Sequence, residues 1–381
     1  MKILKYILIF LLIAVSGCGR HIKTSVHKSA ESENEIHSAQ RFAIYRHQDS
    51  TEVKIINPWQ GATDVNQTYL IVKRGSPLPA GIDSSSVIFV PVKKIICMST
   101  THLSMVSALD EQQSIAGVSG ADFIYAEDLI KRAHQGMITD VGYEANLNKE
   151  LILKIRPDLL MIYGIGSESS GYLGKLKELG IRVIINADYL ETDPLSRAEW
   201  IKLFGALYCK ENLADSIYNK EVTEYTKLKS YILSNSADRP KVMLGLPFKD
   251  TWYISPGNSF ISKMIGDAGG EYLWSDTKSA VSMPYGIENV YLRALKADYW
   301  LNIGTVHSRN EISSVDPRLN DLPCFKIGNL YNNNNRVTSQ GGNDYWEGGI
   351  LYPHLILKDI AAILHPGLFP GYKLMFYRKV N

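Results

Sequence analysis

The sequence predicts an α/β protein of two Rossmann-like lobes joined by a long rigid helix, with an N-terminal β meander. Three observations carry this expectation. First, a helix-to-strand unit occurs twice, as LNKELILKIRPDLLMIYG from Leu147 and as IENVYLRALKADYWLNIG from Ile287. In each copy a carboxylate (Glu150, Glu288) opens an amphipathic run, an Asp (Asp158, Asp298) closes it, and an apolar strand reaching a Gly (Gly164, Gly304) follows. The Glu-to-Asp spacing is eight residues in one copy and ten in the other, so the architecture is doubled without tandem repetition. Second, strand-like and helix-like segments alternate in both halves, the pattern of mostly parallel sheets covered on both faces. Third, Leu213, Ile217, Tyr218, Val222, Tyr225, Leu228 and Ile232 keep a helical period from about Lys210 to Leu233. At 1.5 Å per residue that stretch is on the order of 35 Å, enough to cross both lobes.

Residues 1–17 form an export signal, with Lys2 and Lys5 before an apolar run from Tyr6 to Val15 that is too short to span a bilayer comfortably. Ser16-Gly17-Cys18 completes a stretch that resembles a bacterial lipobox. That likeness implies cleavage before Cys18 and its acylation, palmitate included, leaving a soluble domain on a lipid anchor in a membrane. An ordinary signal peptide with an incidental Cys, or a signal anchor, is the alternative. Residues 18–40 are polar and without apolar period, as a lipidated flexible tether should be. Residues 41–86 hold RFAIYRH, EVKIINPW and QTYLIVKR, a small antiparallel meander.

The N-terminal lobe, 87–192, begins with VIFVPVKKIICM as a strand. It continues through helix 102–109, strand SIAGVS, a helix near 127–133, the first doubled unit, helix 171–178 and strand RVIINAD. Connecting helices occupy 193–235, opened by Asp193-Pro194 with Pro at the first helical position. The C-terminal lobe, 236–381, holds strand KVMLGLP, helix 258–268, the second doubled unit and a final helix near 350–364. Its polar insert YNNNNRVTSQGGN reads as a surface loop.

Composition narrows the function. With 381 residues and 45% apolar content the chain can bury a large core. The formal charge of +2 falls to about zero when Lys2 and Lys5 leave with the signal, so no basic face for nucleic acid is indicated. Beyond Cys18 the cysteines are Cys97, Cys209 and Cys324, an odd number without close spacing, which argues against a disulfide framework or a zinc knuckle. HExxH, GxSxG and P-loop patterns are absent, so an enzyme is not expected.

Lipobox, α/β lobe, long helix, second α/β lobe: this order resembles the substrate-binding lipoproteins of ABC importers. Within them it is similar to the helix-hinged group that captures iron complexes (siderophores, haem) and cobalamin. The segment NLNKELILKIRPDLLMI resembles that family's Asn-Leu-Glu, helix, Lys-Pro-Asp, strand pattern. The ending NDYWEGGILYPHLILKDIAAILHPGLFPGYKLMFYRK resembles iron-complex binders of Bacteroidetes-type bacteria. The likeness runs from about Val87 to the C-terminus. It implies a monomer at the periplasmic face of a bacterial membrane, no cofactor of its own, and a metal chelate as cargo: iron-siderophore first, then haem, then cobalamin. It further implies a permease with its ATPase as partner, with Glu150 and Glu288 meeting Arg clusters there. The bland alternative for both carboxylates is that they help start their helices. A lipid-anchored sensor or adaptor without transport is the rival function, ahead of an enzyme or chelatase.

Ligands of open α/β sheets sit outside the carboxyl ends of strands, which here means the cleft between lobes. The junctions that reach it are Ser99 to His102, Ser119 to Ala121 with Tyr125 behind, Tyr163 to Gly166, Lys249 to Tyr253, and Asn302 to Thr305. Trp274, Tyr285 and Trp346 lie on loops in the same half. The candidate ligand contacts are therefore Thr101, His102, Tyr125, Tyr163, Trp252, Tyr253, Trp274, Tyr285 and Trp346, with aromatic faces suited to large flat chelates. His102 either ligates the metal of a haem or cobalamin or caps its helix, and Tyr163 and Tyr253 are candidate phenolates. Trp300, within a strand, belongs to the core. A free-metal site is not expected, because His102, His134, His307 and His354 are scattered.

Overall fold

A computed structural model describes residues 33–78, 86–143, 146–164 and 168–381. The signal, Cys18 and the tether through Ser32 lie outside the described residues, as do Ile165 and Gly166. No helix among the described residues is long and apolar enough to cross a membrane.

The meander consists of β1 (Phe42–Arg46), β2 (Ser50–Ile56) and β3 (Asn66–Lys73), paired antiparallel in that order. A fourth strand, β4 (Val87–Val90), joins β3 in parallel. VIFVPVKKIICM, expected as one strand, is thus two. Pro91 has no N–H to continue a ladder, so Val87–Val90 extends the meander's sheet and β5 (Ile95–Cys97) opens the lobe. Nor is the meander a separate appendage: Phe42, Ile44, Val53, Ile55 and Tyr69 share one core with Leu103, Val106, Trp200 and Phe204.

From β5 the first lobe runs through α1 (Thr100–Ala108), β6 (Ile115–Val118), α2 (Glu127–His134) and β7 (Thr139–Asp140). It continues with α3 (Lys149–Ile155), β8 (Leu159–Ile162), α4 (Glu168–Glu178) and β9 (Val183–Ile185). Its sheet has the order β7-β6-β5-β8-β9 and is parallel throughout. The connector follows as α5 (Pro194–Ala198), α6 (Ile201–Tyr208) and α7 (Glu211–Asn235). Asp193 caps α5 by accepting the Leu195 N–H at 2.9 Å, and Pro194 holds the first turn, as the sequence predicts. The α7 helix spans 25 residues and buries Ala214, Tyr218, Tyr225 and Ile232 along one stripe.

The second lobe begins with β10 (Lys241–Leu244), β11 (Thr251–Ile254), α8 (Phe260–Asp267), β12 (Glu271–Tyr272), β13 (Met283–Gly286) and α9 (Ile287–Ala294). After β14 (Tyr299–Leu301) come α10 (Arg309–Val315), α11 (Pro323–Ile327), β15 (Leu330–Asn332), α12 (Pro353–Leu364) and β16 (Arg378–Lys379). The main sheet has the order β12-β10-β14-β15-β16, antiparallel only at β16, while β11 and β13 pair with each other.

The doubled unit has a shared physical basis. Asp158 accepts the Lys93 and Lys94 N–H groups at 2.8 and 3.0 Å, fastening the start of β5. Asp298 accepts the Lys241 N–H at 2.7 Å and does the same for β10. In each lobe the Asp between helix and strand clips the neighbouring first strand.

The polar insert corrects an expectation. Asn332 is fully buried, ends β15, and donates to the carbonyls of Gly304 and Val306 at 3.0 Å each. Asn333 is buried as well, so the run is not a surface loop at its start. Asparagine serves there because its amide satisfies two carbonyls that would otherwise be orphaned in the core.

Candidate functional site

Both sheets have a switch point, where loops leave neighbouring strands toward opposite faces. In the first lobe it lies between β5 and β8, and in the second between β10 and β14. The residues following these strands border two adjoining cavities of about 530 and 320 Å³, which share Gln60 and Tyr189. The smaller is walled by the first lobe through Ser99, Thr101, Tyr163 and Asp188. The larger lies between lobes, with Glu191 and Arg197 on one side and Gly245, Tyr253, Ser259, Asn302 and Trp346 on the other. Arg41, at the end of the segment entering the meander, closes its rim.

That segment is held by two buried carboxylates. Glu199 accepts the N–H groups of His37, Ser38 and Ala39 at 3.0, 2.7 and 2.8 Å. Glu191 accepts those of Gln40 and Arg41 together with the Trp200 indole N–H. Burial raises the Glu191 carboxyl to about 7, against the pull of these donors.

Of the nine expected ligand contacts, four border the cavities. Thr101 and Tyr163 wall the smaller one, where Tyr163 meets Tyr189 edge to face at 6.4 Å. Tyr253 and Trp346 wall the larger one and are 58% and 46% exposed.

The other five do not border either cavity. His102 is 0% exposed on the core side of α1, its ring nitrogens have no partner, and burial lowers its pKa to about 3. It is a neutral core residue; the helix is capped by Ser99 instead. Trp252 is fully buried and donates its indole N–H to the Leu244 carbonyl at 3.1 Å. Strand alternation on β11 turns Trp252 inward and Tyr253 outward. Trp274 is buried beneath Arg293, whose guanidinium lies 5.3 Å from the ring. Tyr285 faces Trp252 across the β11–β13 pair. Tyr125 sits beneath Arg336, and its backbone N–H is taken by Glu347 from the other lobe at 2.7 Å.

Sequence reasoning missed the polar floor of the larger cavity. Arg197, on α5, is 7% exposed and lies 4.8 Å from the Phe260 ring. Burial lowers its pKa, opposed by Asp188, Tyr345 and Glu191. Asp188, 2% exposed, is raised by burial and held down by Arg197, the Thr101 side chain and the Tyr189 backbone. No local pattern marks either residue, since both derive their surroundings from elements distant in sequence.

The two expected rim carboxylates are exposed. Each stands in the first turn of a helix (α3, α9) that leads into a strand of a parallel sheet, so each helix starts at the carboxyl edge of its sheet. Asn148 caps α3 by accepting the Leu151 N–H at 3.0 Å. No other side chain caps α9; Glu288 bonds its own backbone N–H and reaches Arg318 at 3.2 Å.

Residues 95–302 match the family described as periplasmic binding protein. The chain is 30% identical over 349 residues to an uncharacterized lipoprotein of Methanocaldococcus jannaschii, covering 86% of this chain and 81% of that one. A second uncharacterized lipoprotein of the same organism is 26% identical over 407 residues, covering 100% and 99%. Among solved structures, a periplasmic heme binding protein from Pseudomonas aeruginosa superimposes with a TM-score of 0.57 at 17% identity, over 76% of this chain and 98% of that one. An ABC-type Fe3+-hydroxamate transport system from Saccharomonospora viridis gives 0.54 at 14% identity, over 72% and 94%. At these identities the superpositions carry the fold alone.

Proposed function

This chain belongs to the periplasmic binding protein family, and from that premise we propose that it captures an iron complex between its lobes and delivers it to a membrane permease with its ATPase. A siderophore chelate is the first choice of cargo, haem the second and cobalamin the third. Lipid at Cys18 holds the protein, as a monomer, at the periplasmic face of a bacterial membrane. The relatives named as lipoproteins support the anchor.

The observation that carries the reading is the chemistry of the cavity. It lies where both sheets have their switch points, and among the described residues neither cavity is bordered by a His or a Cys. Among the described residues no group of three or more His, Cys, Asp or Glu is set to hold a metal ion. Without such a group, the space favours a finished chelate that brings most of its own ligands over a bare cation. With His102 sealed in the core, haem and cobalamin lose the imidazole ligand the sequence offered them, while Tyr163 and Tyr253 still border the cavities, so the order of siderophore, haem and cobalamin stands. The structural relatives named for haem and Fe3+-hydroxamate support the same class of cargo. A helix of 25 residues against both lobes limits them to small rocking, so affinity comes from a largely preformed cleft.

Native mass spectrometry and absorption spectra of protein taken from its own host test this directly. One iron atom with one organic chelator per chain is the expected result. A metal-free organic nutrient in the cavity would overturn the cargo class while sparing the fold.

A further inference from the structure

Arg197 is a buried cation whose Nε has no hydrogen-bonding partner among the described residues. It is 93% removed from solvent, its Nε donates to nothing, and among the described residues no carboxylate stands within ion-pair distance. The Phe260 ring lies against it, 4.8 Å away. A guanidinium carries five N–H donors and no acceptor, and leaving even one of them unmet in a buried site is costly. The nearby acids do not relieve it. Both Glu191 oxygens are occupied by the N–H groups of Gln40 and Arg41 and by the Trp200 indole. Asp188 takes the Thr101 side chain and the Tyr189 backbone, and its Oδ2 also lacks a partner.

The position of this cation is specific. It lies on α5, in the connector between lobes, and borders the larger cavity opposite Ser259, Asn302 and Trp346. Arg41 adds a second positive group at the same rim, where it donates to the Asn57 carbonyl at 3.4 Å. A neutral cargo could accept its hydrogen bonds but would leave its charge unbalanced, and a cationic one would be repelled. A planar pair of anionic oxygens would satisfy it through two parallel hydrogen bonds.

We propose that Arg197 is the receptor for an anionic oxygen group, a carboxylate or a catecholate, displayed by the captured chelate. This deepens the cargo reading above and rests on it. Phe260 supports the guanidinium from below, and Asp188 keeps the local charge balanced while the cavity is empty.

The test compares wild type, Arg197→Lys, Arg197→Met and the double variant Arg197→Met with Asp188→Asn. The probes are ferric citrate, haem, a ferric tris-catecholate, a neutral ferric tris-hydroxamate and iron-free citrate, read by fluorescence quenching and by calorimetry. Wild type is expected to bind one of the anionic chelates, carboxylate or catecholate, and Arg197→Met to weaken it by about a hundredfold, with Arg197→Lys in between. Unliganded Arg197→Met, or the double variant, should melt at the same temperature as wild type or higher, because an unpaired buried charge has been removed. A preference for the neutral hydroxamate, unchanged affinity in Arg197→Met, or a lower melting temperature in both Met variants would overturn the assignment. Iron-free citrate bound as tightly as ferric citrate, and lost in Arg197→Met, would retire the iron and keep the arginine. Binding of no probe by wild type would defeat the cargo reading and this inference with it.

Discussion

Reversing both rim carboxylates, Glu150→Lys with Glu288→Lys, is expected to abolish uptake of the chelate while leaving its affinity for the purified protein unchanged. Both residues are exposed and stand at the carboxyl edges of their sheets, the edges at which the cavity lies. Neither borders the cavity, so cargo contacts survive the change. The helix-starting alternative separates the two residues. In α3 the capping is done by Asn148, which leaves Glu150 free of that duty. In α9 Glu288 bonds its own backbone N–H, so part of its role is local.

Glu288 also pairs with Arg318 at 3.2 Å, but both side chains are more than half exposed. So exposed a pair contributes little, and an Arg of a permease could displace it readily. Two desolvated Arg–carboxylate pairs at an interface are worth about 2–5 kcal/mol each when one partner is removed, ample to prevent docking. Cellular uptake of the labelled chelate, beside calorimetry on purified variants, checks this. Retained uptake, or lost affinity, would remove the docking role.

The second large effect concerns Glu347, which joins the lobes beside the cavity. It is 3% exposed and accepts the N–H groups of Tyr125 and Ala126 at 2.7 and 3.0 Å. Glu347→Ala should destabilise the protein by about 2–4 kcal/mol, since two buried amides lose their acceptor. Cargo affinity should fall as well, because the latch helps hold the two halves of the cavity in register.

The same residue makes stability depend on pH. Burial raises the Glu347 carboxyl from 4.5 to about 7, opposed by the Tyr125 and Ala126 amides and reinforced by Asp344 and Asp128. Glu191 is raised to about 7 for the same leading reason. An acid whose pKa is higher folded than unfolded binds its proton more tightly in the native state. Its contribution is therefore complete below about pH 4.5 and is lost as pH rises through about 7. Each group can change stability by up to about 3 kcal/mol across that window. Thermal melts should show a lower melting temperature at pH 8 than at pH 5, flattened by Glu191→Gln with Glu347→Gln. A melting temperature that rises with pH over this range would contradict an origin in these two buried acids.

Local pattern makes much of the fold legible. The α3–β8 and α9–β14 units, the 25-residue α7 and the Asp193-Pro194 start all write their structure into adjacent residues. Pairings made between distant segments are not legible. β11 meets β13 across the whole of α8 and β12, and β16 is recruited from the C-terminus to β15. The site divides along the same line. Tyr163 and Thr101 can be found because they follow strands at a switch point. His102 is misassigned from sequence because the first turn of α1 is buried, with the imidazole set beside Phe204 of α6. Trp252 and Tyr253 differ only by one step of strand alternation, which aromatic content alone does not resolve. Arg197 escapes notice because a basic residue in a short helix reads as solvent-facing, whereas α5 packs against α7, α8 and α12.

The most direct test of the cleft as the cargo site is anomalous scattering at the iron edge from crystals of the loaded protein. One iron peak per chain is expected inside the larger cavity, among Arg197, Tyr253 and Trp346. A peak on the outer surface, or iron held directly by protein side chains, would contradict it.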